Sequence, residues 1–217
     1  MGQGREEAHE GAGGQLTTFA QLKGRLGERG FDYLTDATKG QFVNDAYLEI
    51  CDMEDWPFLE ATTSGVAPLA ISDLRTIETV VDSTSTTRLS PLDRRHILET
   101  DYTLATTGSP VWYYLTSGTT VNVYPANTSD TLSVRYWKVP TALSADGDVP
   151  VVPDRYLDIV LYGARAAAYW DSDNAEMAET MIRRQERRLQ TMRDALLVGQ
   201  HDMADDHVVI VAGSADW

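Results

Sequence analysis

The chain has little cysteine, few basic residues and no long apolar run. Its single cysteine, Cys51, excludes an internal disulfide framework, and the acidic neighbours Asp52, Glu54 and Asp55 would raise a thiol pKa, so we expect a buried structural role. No stretch approaches the roughly 18 consecutive apolar residues of a membrane span, so no membrane partner is expected. The first fifteen residues are acidic and lack an apolar core, so we expect no secretion signal.

Basic residues are outnumbered by acidic ones. The 217 residues include 18 Lys and Arg against 33 Asp and Glu, which gives a formal net charge of −15. So negative a surface disfavours free binding to nucleic acid or to anionic membranes. A soluble acidic globule without special function fits this number as well.

Catalytic sequence motifs are also lacking. The chain has no phosphate-binding glycine loop and no HExxH, CxxC or GxSxG pattern. Its histidines (His9, His96, His201 and His207) are scattered, and those near the C-terminus are best interpreted as part of a solvated acidic tail. Asp146-Gly147-Asp148 is interpreted as a turn, because the other ligands of a calcium loop are missing. We therefore expect no enzyme activity, no cofactor and no metal.

Helical patterns begin after a polar, glycine-rich stretch at residues 1–15, which is expected to be a flexible arm. Thr18 is expected to cap a helix over residues 19–26, with Gln21 completing a capping box and Gly27 and Gly30 ending the helix.

A second helix is predicted from Thr35 or Asp36 to about Glu54. Its apolar residues recur on one face (Phe42, Val43, Ala46, Tyr47 and Ile50). Pro57 disfavours helical geometry at Trp56, so the helix is expected to end there. We predict a structural junction between two layers, formed by Tyr47, Trp56, Pro57 and Phe58.

The segment 59–152 changes to a period of two and is rich in Thr, Val and Tyr, which is typical of strands. We predict a small antiparallel meander with one helical interruption. The predicted strands cover residues 74–81, 111–115, 120–124 and 132–136. The interruption is a helix at residues 92–99 capped by Ser90.

Helical periodicity returns at Pro153. One helix has Leu157, Leu161 and Ala164 on a single face, and its alanine-rich run permits close packing. After a bend at residues 171–174, where Asp173 is expected to act as a cap, the last helix has a heptad seam. The seam consists of Ala178, Ile182, Gln185, Leu189, Met192 and Leu196. We expect this seam to be exposed in a single copy and covered by neighbouring molecules.

The predicted fold class is therefore α+β, a helical bundle formed by both chain ends with an inserted small antiparallel β subdomain. The expected division is a flexible arm (1–15), a helical bundle domain (16–58 plus 153–198), an inserted β subdomain (59–152) and a C-terminal tail (199–217).

Two features are candidate contact sites. Arg183, Arg184, Arg187 and Arg188 form a basic helix face, either a solvated surface or a contact with a carboxylate-rich partner or a neighbouring copy. The acidic tail carries four consecutive β-branched residues (Val208, Val209, Ile210 and Val211) and ends in Trp217. These residues either form a last strand on the protein's own sheet or add a strand to a partner, with Trp217 as an anchor.

The order of several short motifs resembles the head-to-tail adaptor (connector) proteins of tailed bacteriophages. The resemblance covers about residues 16–197. The matching motifs are Leu22 to Gly27, the Asn44–Ile50 helix with Trp56-Pro57-Phe58-Leu59, Gly108-Ser109-Pro110, Val123-Tyr124-Pro125, Arg135-Tyr136, Val152 to Tyr156 and Gly163 to Ala166.

This resemblance implies a structural virion protein of the neck between capsid and tail, present in the host cytoplasm during assembly. It implies a ring of about twelve copies that docks on the portal protein and offers a platform to a tail, stopper or nozzle protein. DNA would pass through the lumen without specific binding.

Two other function classes stay open. Trp112, Tyr113 and Tyr114 in the β segment would suit an adhesive or carbohydrate-binding virion module if their rings were exposed and coplanar. An unrecognised hydrolase would need a deep pocket with two converging acids of perturbed pKa.

Overall fold

The computed structural model describes residues 16–197 and shows a mixed α+β protein with five α-helices and a seven-stranded sheet in that range. The predicted arm and tail, including Val208–Val211 and Trp217, lie outside the described residues. Of the helices in residues 16–197, none combines the length and apolar character needed for a membrane span.

The first helices begin where their caps predict. In α1 (Phe19–Leu26) the Thr18 hydroxyl accepts from the Gln21 amide, and the Gln21 side chain accepts from the Thr18 amide, which confirms the capping box. Gly27 keeps helical geometry and does not end the helix, which passes into a π-helical turn over Gly27–Phe31. Helical geometry is lost within that turn at Arg29 and at Gly30, whose φ is 98°, so Gly30 ends the helix as predicted.

The second helix, α2 (Asp36–Met53), is capped by Thr35. A 3₁₀ turn over Pro57–Leu59 follows, so the helix ends before Trp56 as Pro57 predicts.

Two longer helices form the C-terminal part. A 3₁₀ turn at Asp154–Tyr156 leads into α4 (Leu157–Asp171), and α5 (Ala175–Leu196) follows after a tight bend. Asn174 caps α5 by accepting from the Met177 amide, whereas the predicted cap Asp173 occupies the bend with φ 55°. The remaining helix, α3 (Arg94–Thr100), is capped by Asp93 rather than Ser90.

One hydrophobic core contains residues of α1, α2, α4 and α5. Leu189 and Met192 of the heptad seam are buried in it together with Ala164 and Ala168. The prediction of an exposed seam is therefore wrong. The small residues of α4 let α5 approach closely: a Cβ on Gly163 would lie 2.7 Å from Gln185 Nε2 and 3.0 Å from Ala46 Cβ.

Seven strands form one sheet in the order β1-β7-β3-β4-β5-β6-β2. Their bounds are β1 (Glu60–Val66), β2 (Leu69–Ala70), β3 (Leu74–Asp82), β4 (Thr87–Pro91), β5 (Trp112–Thr116), β6 (Thr120–Tyr124) and β7 (Thr131–Lys138).

The predicted all-antiparallel meander needs correction. β4 and β5 pair in parallel, because α3 and the segment after it carry the chain back to the starting end of β4 before β5 begins.

The two edge strands, β1 and β2, are joined by only Ala67 and Pro68, so the sheet curls until its edges meet at that corner. The concave side encloses a second hydrophobic core that includes Val80, Val121 and Val134.

Lys23 connects the start of the chain to its later part. This buried side chain forms ion pairs with Asp36 and, at 2.7 Å, with Asp146. The Asp148 carboxylate accepts from the amides of Ser144 and Ala145, and the carbonyl of Asp148 accepts from the Phe19 amide. The Asp146-Gly147-Asp148 segment is therefore a turn, as predicted, and it supports the first turn of α1.

Candidate assembly surfaces

A basic groove lies over α4, with α5 on one side and α1 with the Gly27–Phe31 turn on the other. The first part is a cavity of about 250 Å³ with Arg184, Arg187, Arg188 and Thr191 of α5 on one side and Asp158 and Tyr162 of α4 as the floor. An adjoining cavity of about 380 Å³ shares Asp158 and Tyr162. It adds Arg25 of α1, Glu28 and Arg29 of the π-helical turn, and Leu161 and Arg165 of α4. Both cavities together are called the arginine groove below.

Among the residues that the structure describes, Arg188 is the arginine of the groove with a carboxylate partner, Asp158. Its Nε donates to Asp158 Oδ2 at 2.9 Å, and its Nη2 donates to the Arg155 carbonyl. The guanidinium lies 5.7 Å from the centre of the Tyr156 ring. Arg188 is therefore held in a fixed position, as a structural element of the groove wall.

The rest of the groove concentrates positive charge. Burial, followed by repulsion from Arg29 and Arg184, lowers the pKa of Arg165 from its ordinary value. Arg165 Nε, a donor, and Asp158 Oδ1, an acceptor, are buried atoms without a hydrogen-bond partner among residues 16–197. Such a surface suits a partner that brings carboxylates or other anionic groups.

The structure brings together three of the four predicted arginines. Arg184, Arg187 and Arg188 line the groove, whereas Arg183 points away and pairs with Glu179 at 3.1 Å. Sequence reasoning missed Arg25, Arg29, Arg165 and Asp158. The available signal was the spacing of Asp158, Tyr162 and Arg165, which lie one and two turns apart on the polar stripe of α4.

The predicted junction residues lie where α2 meets the sheet. Tyr47 and Trp56 are buried, and Trp56 Nε1 donates to the Ile50 carbonyl at 2.7 Å. Phe58 stacks on Trp56 with ring centres 5.7 Å apart and planes 9° apart. Arg75 of β3 donates to the carbonyls of Cys51 and Asp52 and so satisfies the end of α2.

The aromatic residues of β5 do not form an exposed platform. Tyr114 is 8 % exposed and Tyr113 is half-buried, so Trp112, which is 36 % exposed and stacks on Tyr124 of the neighbouring strand, is the one exposed ring of the three. Alternation along the strand places Tyr113 on the opposite face from the other two. This arrangement does not support a carbohydrate-binding surface.

Asp82 and Asp130 are neighbouring acids whose pKa values are shifted in opposite directions. Burial and the neighbouring Asp82 raise the pKa of Asp130. Burial alone would raise the pKa of Asp82, but hydrogen bonds from Ser85 and from the Thr84 amide together lower it. Asp82 is 0 % exposed and holds the β3–β4 turn, so this pair supports a structural role and no hydrolytic site.

Cys51 is buried, and its burial, with Asp52 nearby, raises the thiol pKa to about 12. At pH 8 only about one thiol in ten thousand is then ionised, and the thiolate is the reactive form. We expect the folded protein to resist Ellman's reagent and the urea-unfolded protein to react fully. A Thr87→Cys variant, with its new thiol exposed, is the positive control. Reaction of Cys51 at the rate of that control would contradict the structural role.

Residues 16–197 thus form an α+β protein with two hydrophobic cores and a charged groove between its helices. The family model described as SU10 adaptor protein matches residues 17–208, most of the chain. The chain therefore belongs to the SU10 adaptor protein family, a phage head-to-tail adaptor family. No curated protein matches the chain.

Proposed function

We propose that this phage adaptor protein forms a ring of about twelve copies, docks on the portal protein and joins the portal to the tail. The observation that carries this proposal is the family match over residues 17–208. Its mechanism is assembly rather than turnover. Its place is the virion neck, after assembly in the host cytoplasm, and its other partner is a tail, stopper or nozzle protein.

We propose that the helices of both chain ends form the ring wall as one bundle domain (16–58 plus 153–198). The inserted β subdomain (59–152) then faces the tail side or the outer rim. The presence of one core shared by α1, α2, α4 and α5 and a separate core inside the sheet supports this division.

The proposed portal contact is the C-terminal tail (199–217). Val208, Val209, Ile210 and Val211 have the composition of a strand that completes a partner's sheet edge, with Trp217 as an anchor. The basic helix face of Arg183, Arg184, Arg187 and Arg188 is proposed as a second contact, with a neighbouring subunit or an acidic partner.

The proposed ring forms part of the DNA conduit. A net charge of −15 per copy favours passage of the duplex, because a negative lumen repels phosphates instead of binding them. We expect the purified chain to show no salt-sensitive binding to duplex DNA in a mobility-shift titration. A tight complex that weakens as salt rises would contradict the conduit.

The test of the proposed function is attachment to the portal. The full chain, a monomer or weak oligomer by itself, is mixed with purified portal rings of the same phage and separated by sedimentation. Co-sedimentation of the chain as rings is expected. Failure to attach at any concentration would overturn the proposal.

A further inference from the structure

Three arginines of the arginine groove, Arg165, Arg184 and Arg187, have no counterion among residues 16–197. Glu179, Asp158 and Glu54 pair with Arg183, Arg188 and Arg193. Within residues 16–197 no carboxylate lies within ion-pair distance of Arg165, Arg184 or Arg187. In a chain with 33 acidic residues against 18 basic ones, leaving adjacent arginines unpaired costs repulsion that a bound carboxylate would remove.

The outer face of α2 shows the opposite imbalance. Asp45 and Glu49 are exposed one turn apart, where like charges destabilise a helix. Asp52 continues the row, and its contact with Arg75 is long at 3.9 Å. These residues (Asp45, Glu49 and Asp52) are called the acidic stripe, and the buried positions Ala46, Tyr47 and Ile50 face the other way.

The groove and the stripe lie on different sides of the helical layer. Arg193 of α5 forms an ion pair at 3.0 Å with Glu54, the residue that follows α2, so that flank of α5 faces the C-terminal end of α2. Arg184 precedes Arg193 by nine residues, which places it about 180° around the helix, on the flank away from α2. The acidic stripe points outward from α2, away from the shared core. A single copy therefore cannot bring its own stripe into its own groove.

The two surfaces also match in length. From Asp45 to Asp52 and from Arg184 to Thr191 the helices rise by the same seven residues, about 10 Å. The second helix of a neighbour laid along the groove would therefore bring its carboxylates to Arg184 and Arg187, with Arg165 at the floor. Different, complementary faces on two sides of one chain are what a closed head-to-tail ring requires.

We propose that the arginine groove of one copy binds the acidic stripe of the next copy, and that this contact closes the ring. The inference rests on the proposed adaptor function and names the surfaces that join its subunits. The carboxylates of the acidic tail or of the N-terminal arm are other occupants that the experiments below distinguish.

The first experiment traps the contact chemically. A full-length variant with Glu49→Cys and Arg187→Cys is first assembled on purified portal rings and then treated with a short bismaleimide, a reaction in which buried Cys51 does not compete. We expect a ladder of covalent oligomers whose linked peptides join position 49 of one chain to position 187 of another. The control combines Glu49→Cys with Arg95→Cys, an exposed arginine of α3 outside the groove. A ladder no stronger than that control would overturn the proposal.

The second experiment exchanges the charges. One variant carries Arg184→Glu and Arg187→Glu, the other Asp45→Arg and Glu49→Arg, and Arg94→Glu with Arg95→Glu is the matched control. Each groove or stripe variant alone should lose at least about tenfold in the yield of rings on the portal, while the control keeps the wild-type yield. An equimolar mixture of the two variants should restore rings, because each altered face then meets its complement.

The outcomes separate this inference from the function on which it rests. Loss of rings in the groove variant alone, with the stripe variant unaffected, would make the tail or the arm the occupant and overturn the proposal. Normal rings from both variants would overturn it too and leave the adaptor function intact. A wild-type chain that never attaches to the portal would refute the adaptor function, whatever the cross-linking shows.

Discussion

Replacement of Trp56 by alanine is expected to lower the free energy of unfolding by about 3–5 kcal/mol, the usual cost of removing a fully buried aromatic side chain. Trp56 is 0 % exposed, packs in the core shared by the helices and stacks on Phe58. The variant also loses the hydrogen bond to the Ile50 carbonyl, which satisfies the last turn of α2. Because small domains are stable by only about 5–15 kcal/mol, this loss removes much of the total.

The measurement is urea unfolding monitored by circular dichroism, with Trp170→Ala as the matched control. Trp170 lies near the end of α4 and is 51 % exposed, so its replacement should change the free energy of unfolding by about 0.5 kcal/mol or less. Equal destabilisation by the two substitutions would contradict the proposed role of the Trp56-Pro57-Phe58 segment as the structural junction.

Deletion of residues 199–217 is expected to abolish attachment to the portal and to leave the fold intact. Both described cores are built from residues 16–197, so the truncated chain retains them. Burying a β-branched side chain in the portal contact contributes about 1.5–3 kcal/mol to the free energy of binding. Several such residues together with Trp217 therefore contribute more than the conformational entropy that is lost when the tail becomes ordered. We therefore expect attachment to weaken by at least about a hundredfold.

Two full-length variants separate apolar from charged contributions of the tail. Replacing Val208 to Val211 by serine should reproduce most of the loss, whereas replacing Asp202, Asp205 and Asp206 by asparagine should change attachment much less. Co-sedimentation with portal rings gives the affinity, and the thermal midpoint checks the fold. Unimpaired attachment of the truncated chain would refute the C-terminal tail as the portal contact.

The sequence predicted helix starts, helix ends and strands correctly where the residues that determine them are close together in the chain. Thr18 and Gln21 form their capping box within one turn, and Pro57 ends α2 through its effect on the preceding residue. Strand β6 (Thr120–Tyr124) follows from simple alternation of Val and polar residues.

The features that sequence reasoning missed depend on contacts between distant residues. The parallel pairing of β4 with β5 depends on where the chain returns after α3, which no local pattern encodes. The heptad seam was correctly located, but its partner is α4 of the same chain rather than a neighbour. The arginine groove combines residues of α1, the π-helical turn, α4 and α5, so only the row on α5 was visible as a cluster.

The central claim is that this adaptor works as a closed ring on the portal, and the mass of the isolated portal–adaptor complex tests it most directly. Native mass measurement of that complex should give the portal ring plus a single set of about twelve adaptor chains, with no partly filled rings. A complex that carries isolated adaptor copies in variable number, or a portal that binds none, would contradict the account.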